Sequence, residues 1–206
     1  MMVRVLAVSK GQDFAKIYQA FLAGQHAFGE NYWQEAWLKI QRANALGLSA
    51  LEWHFIGHIQ SNKVKQIAQH VDWVQTVDSV ALIKRLNQYR ASTAKPLNIC
   101  LQVNITGERQ KSGVKLEHLD VLVEAALACP RLCLRGLMAI GLAEQAEDER
   151  YAEYTRLAQV YRQLAVRISS IDTLSLGMSQ DKDIAIAAGS TMIRIGTAFF
   201  GERGKK

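Results

Sequence analysis

Two hydrophobic rhythms alternate along the chain. Residues 3–9 (VRVLAVS) form a short run rich in β-branched residues, as a buried strand requires, and residues 14–22 then repeat their apolar positions at helical spacing. The alternation continues. Strand-like segments are predicted at HAFGEN, 53–57 (WHFIG), DWVQTVDS, PLNICLQVNI, LRGLMAIG, TLSLGMS and TMIRIG. Helical patterns fall between them at 33–46, 61–69, 80–90, 116–128, 147–166 and 181–188, the last closed by Gly189. Cys129-Pro130 marks the end of the fifth helical pattern, because a residue before proline avoids helical geometry.

Eight strand candidates separated by helices argue for a parallel sheet. Eight units in one domain predict a (β/α)8 (TIM) barrel over residues 1–206, with an open doubly wound sheet as the alternative that periodicity alone does not separate. Composition agrees with one sizeable core: 49% of the 206 residues are hydrophobic and 21% charged, and only two prolines occur. The net charge of +6 is scattered, apart from a short basic tail at 203–206, so nucleic-acid binding is not indicated. Three cysteines without a CxxC pair suit a reducing compartment. Neither a signal-peptide core nor a membrane-length apolar run occurs, and the cytoplasm is the expected location.

In a barrel of this kind the site lies at the C-terminal ends of the strands. The polar residues there are Lys10, Asn31, Gly57-His58, Asp78-Ser79, Asn104, Ser179 and Gly196-Thr197. Lys10 ends an apolar strand. It either begins a solvated loop or offers an amine whose pKa burial lowers, fit for a Schiff base. Ser179 and Gly196-Thr197 follow the seventh and eighth strands, where barrels often cradle phosphate on backbone N–H groups. Each also reads as ordinary turn material. His54 and His58 are four apart, but across a strand and Gly57 rather than on a helix, so no metal is expected; His54 should face the barrel interior. Arg194 stands in the middle of the last strand. A guanidinium there must either face an anionic or polar group or turn outward to an acid such as Glu202.

The segments LAVSK, HAFGENYWQE, WHFIGHIQSNK, LQVNITGERQKSG, LRGLMAIG, LSLGMSQD and GSTMIRIGTAFFG, between Val5 and Gly201, resemble the pyridoxal-phosphate homeostasis proteins (the YggS/PROSC family). The resemblance implies a fold similar to the barrel domain of alanine racemase, and pyridoxal 5'-phosphate carried covalently on Lys10. It implies that Ser179, Gly196 and Thr197 hold the phosphate, that Arg194 faces the pyridine nitrogen, and that Asn31 and His54 line the pocket. Two departures stand out. The family places a helical segment ahead of its first strand, whereas here the strand begins at Val3. Its usual Thr-Lys-Pro after the lysine is replaced by Gly11-Gln12-Asp13.

What the resemblance implies for function is a non-catalytic, monomeric carrier and buffer of the cofactor that also delivers it to apo-enzymes. The alternative is a pyridoxal-phosphate-dependent amino-acid racemase or a related enzyme. Racemases of this fold use a second, β-rich domain, and the chain ends soon after its eighth strand, which favours the carrier.

Overall fold

In a computed structural model that describes residues 2–107, 112–141 and 145–201, the chain forms a closed barrel of eight parallel strands in sequential order. The strands are β1 (Arg4–Val8), β2 (Ala27–Glu30), β3 (Glu52–Phe55), β4 (Trp73–Val77), β5 (Leu97–Gln102), β6 (Leu132–Met138), β7 (Thr173–Ser175) and β8 (Met192–Ile195). Helices α1 (Phe14–Leu22), α2 (Trp33–Ala45), α3 (Val64–His70), α4 (Val80–Tyr89), α5 (Leu119–Leu127), α6 (Glu147–Arg167) and α7 (Lys182–Ala188) connect them, and α8 (Thr197–Phe200) follows β8. Closure decides between the two expected architectures. β1 pairs with β8, Arg4 opposite Met192 and Leu6 opposite Arg194, which an open doubly wound sheet would not do.

Local chemistry explains where several elements stop and start. The Ser79 hydroxyl accepts from Leu82 N at 3.3 Å and caps α4. Glu147, Asp148 and Glu149 occupy the first turn of α6, where the helix dipole favours negative charge. Gly189, at φ +108°, ends α7 in a left-handed conformation that glycine adopts without strain. The seventh strand is shorter than TLSLGMS suggests. The backbone turns out at Gly177, and Met178 N is taken up by the Asp181 carboxylate at 2.6 Å. α8 has no counterpart in the sequence expectation, and the third and fifth helices are preceded by short 3-10 turns, Ser61–Lys63 and Leu116–His118.

Two kinds of core result. The larger lies between strands and helices and includes Phe28, Phe55, Ile67, Ile83, Leu86 and Leu101. Burying each such side chain contributes about 1.5–3 kcal/mol. Inside the barrel the apolar groups are few and come from strands and strand ends alone: Leu6, Val8, Ala27, Ile56 and Met192 in one cluster, Trp73, Cys100 and Met138 in another. The remaining interior is polar. Among the described residues no helix is long and apolar enough to cross a membrane.

Candidate functional site

A cleft of about 380 Å³ opens at the C-terminal ends of the strands. It is lined by Lys10, which follows β1, by Asn31 after β2, by Ser179 and Asp181 between β7 and α7, and by Arg194, Gly196 and Thr197. Six of the seven sequence-predicted site residues therefore share one cleft. His54 does not line it. Its ring lies in the layer beneath, fully buried, stacked on Trp73 with centroids 4.9 Å apart. The reason is depth, not facing: both side chains point inward, but the cleft position belongs to Ile56, just past the end of β3 and two residues further along the same face. His58 is exposed, so the two histidines do not converge.

Arg194 points into the barrel. Its guanidinium donates Nη1 to the carbonyl and hydroxyl oxygens of Ser175 at 2.8 and 2.7 Å, and Nη2 to Ala139 O at 2.8 Å. Burial pushes its pKa down, opposed by Tyr154 and the Asp181 carboxylate; a guanidinium remains a cation even so. Glu202, named as one acid an outward Arg194 could meet, lies outside the described residues, as does the basic tail. Asp181 is itself held, accepting from Tyr154 Oη at 2.6 Å as well as from Met178 N.

The remaining lining supplies what sequence reasoning missed. Ile56, Met138, Ile140 and Met178 form an apolar wall, and Arg150 contributes a third cation beside Lys10 and Arg194. Nothing in the acidic-rich start of α6 distinguished Arg150 from a surface charge. With Asp181 as the one described carboxylate of the lining, the cleft favours an anion. Gly196 precedes α8, so the first N–H groups of that turn have no carbonyl one turn earlier to bond. Gly57 permits the top of β3 to press against β2. A Cβ there would fall 1.9 Å from Asn31 O, so only glycine lets Asn31 sit where it does. The Asn31 side-chain Oδ1 is buried without a hydrogen-bond partner. The orphaned acceptor calls for a ligand that brings a hydrogen-bond donor, and the surrounding cations for one that also carries negative charge. A larger groove, about 970 Å³, runs outside the barrel between residues 11–16 and α2, away from the strand-end cluster of Ser179, Arg194 and Thr197.

Fold and cleft together define a (β/α)8 barrel whose mouth presents a lysine, two arginines and a glycine-opened helical turn. The alanine racemase N-terminal domain family matches residues 1–204. The pyridoxal phosphate homeostasis protein of Escherichia coli (strain K12) is 50% identical over 208 residues, covering 98% of this chain and 86% of that one. Its namesake in Haemophilus influenzae is 45% identical over 203 residues, covering 98% and 85%. The chain belongs to the alanine racemase N-terminal domain family, among the pyridoxal phosphate homeostasis proteins. The structure of PipY from Synechococcus elongatus PCC7942 with PLP bound superposes with a TM-score of 0.87 at 34% identity, over 97% of this chain and 92% of that one. Alanine racemase from Corynebacterium glutamicum shares the fold alone: TM-score 0.67 at 18% identity, over 98% of this chain and 56% of that one.

Proposed function

We propose that this protein binds pyridoxal 5'-phosphate in the strand-end cleft, covalently on Lys10, and serves intracellular homeostasis of that cofactor as a carrier and buffer that delivers it to apo-enzymes. One observation carries the reading: Lys10, Asn31, Ser179, Arg194, Gly196 and Thr197, from four separate parts of the chain, line one cation-rich cleft. The relatives' names and the PLP-bound PipY structure support the same ligand. When bound, the group supplies an aldehyde that condenses with an amine and a ring that delocalises negative charge. In this reading Ser179, Gly196 and Thr197 receive the phosphate through N–H and hydroxyl donors, and Arg194 donates to the ring nitrogen. Lys10 holds the aldehyde carbon, and Asn31 Oδ1 gains a donor from the ligand.

The titratable groups of the cleft favour storage over turnover. Among the described lining residues they are Lys10, Arg150, Asp181 and Arg194. The arginines do not release a proton at working pH. Racemisation needs a second proton-exchanging group opposite Lys10, and the one carboxylate among the described lining residues, Asp181, already accepts from two donors, Tyr154 Oη and Met178 N. A monomer in the cytoplasm completes the reading. Borohydride reduction of the protein loaded with pyridoxal 5'-phosphate, followed by peptide mass mapping, tests it. The adduct is expected on Lys10; an adduct on another lysine, or none, overturns the assignment.

A further inference from the structure

Beneath the cleft, a continuous line of hydrogen bonds crosses the barrel interior. Its direction is set by the donor and acceptor character of each group. The Arg194 guanidinium only donates, so Ser175 Oγ accepts from Nη1 at 2.7 Å and turns its own hydrogen to Gln75 Oε1, also at 2.7 Å. With Gln75 Oε1 engaged in this way, the amide nitrogen faces His54 Nδ1 at 2.9 Å. That nitrogen can only donate, so Nδ1 accepts and the imidazole proton resides on Nε2, which lies 2.6 Å from Glu52 Oε1. Arg4 Nη2 reaches the same oxygen at 2.7 Å, at the opposite mouth of the barrel. His54, Gln75 and Ser175 are all essentially inaccessible to water.

We propose that Gln75 and His54 are positioning residues for Arg194, and that the protonation state of His54 governs how Arg194 is held at the floor of the cleft. The significance for cofactor binding rests on the proposed function; the coupling itself does not. A second proton on His54 would set Nδ1–H against the amide N–H groups of Gln75. The amide must then flip. Its nitrogen would turn to Ser175 Oγ, which would receive donors from both Gln75 and Arg194 and lose the acceptor for its own hydrogen. The Arg194–Ser175 bond is weakened as a result.

The surroundings of His54 are charged on several sides. Glu52 on β3 and Arg4 on β1 meet at its Nε2 side, Asp72 lies just before β4, and Arg194 closes the other end of the line. Arg135 on β6, paired with Asp172, covers the Trp73 ring on which His54 stacks. Burial pushes the imidazole down and outweighs the pull of Glu52, consistent with a neutral Nε2–H form.

Two measurements test the proposal. In cofactor-free protein, the ring nitrogens of His54 are followed by long-range nitrogen–proton correlation spectra. The wild type should show the Nε2–H tautomer at neutral pH. Ser175→Ala, which frees the Gln75 amide to flip, should move the His54 titration upward. An unchanged titration, or an Nδ1–H tautomer in the wild type, overturns the relay. With pyridoxal 5'-phosphate, Gln75→Leu should weaken affinity about tenfold in the wild-type background. It should cost little once Arg194→Gln is present, because groups acting through one another are not additive. Additive losses overturn the positioning role. Ser175→Ala in the same cycle replaces Gln75→Leu if that variant does not fold. A wild type that binds no pyridoxal 5'-phosphate overturns the proposed function, and the cofactor-free titration then decides the relay by itself.

Discussion

The Lys39 ammonium lies 2.7 Å from the carbonyl oxygen of Ser9, the residue that precedes Lys10. The same nitrogen bonds Glu30 at 2.7 Å and Glu35 at 2.6 Å, and the Ser9 hydroxyl donates to Glu30 at 2.6 Å. One buried cation on α2 thus ties together the tops of β1 and β2, where Lys10 and Asn31 emerge. Burial pushes the Glu30 carboxyl up, and Lys39 only partly offsets it.

Removing one partner of a buried pair leaves the other charge uncompensated, at a cost of about 3–5 kcal/mol. Lys39→Met should lower the unfolding free energy by that order. The exposed Lys65→Met should change it by less than about 0.5 kcal/mol. Denaturant melts compare them. Equal effects would show that Lys39 does not clamp the strand ends.

Pyridoxal without its phosphate should bind at least tens of times more weakly than pyridoxal 5'-phosphate. The missing group forfeits several charge-assisted contacts at Ser179, Gly196 and Thr197, each worth roughly 1.5–3 kcal/mol. Ser179→Ala and Thr197→Val should each weaken binding of the phosphorylated form. Absorbance titrations measure this, and equal affinity for the two vitamers would remove the phosphate from the cradle.

Arg194→Gln should lower cofactor affinity and perturb its absorbance while the barrel persists, as far-UV circular dichroism would report. The guanidinium is only a donor, so the bound ring nitrogen is expected unprotonated. The decisive reading is the nitrogen-15 shift of the bound ring. A shift typical of a protonated pyridinium is incompatible with Arg194 at that nitrogen.

Acid sensitivity should trace to Glu52. Burial raises its carboxyl pKa, but the hydrogen bonds from His54 and Arg4, the Arg4 charge and, once acid has protonated the imidazole, the His54 charge outweigh burial and hold it at about 2, below the ordinary 4.5. Its folded pKa lies below the unfolded one, so its contribution is full above pH 4.5 and lost as pH falls toward about 2. Glu52→Gln should flatten the stability profile across that window in denaturant melts. A variant with the wild-type slope would assign the acid response to another carboxylate.

Much of this molecule was legible from local pattern. The alternation of strand and helix, the polar residues at strand ends and the glycine that closes α7 depend on spacing, backbone sterics and residue type within a few positions. The resemblance carried by LAVSK, LSLGMSQD and RIGT marked the residues that now line the cleft. Barrel closure was not legible, because it rests on pairing Arg4 with Met192 across nearly the whole chain. Nor was the depth of His54: every second residue of a strand faces inward, but closure sets which layer each occupies. The Lys39 clamp, the orphaned Asn31 oxygen and the line from Arg194 to Glu52 arise for the same reason. A buried polar group is stable only when partners meet it, and those partners come from strands and helices that only the folded barrel brings within hydrogen-bonding distance.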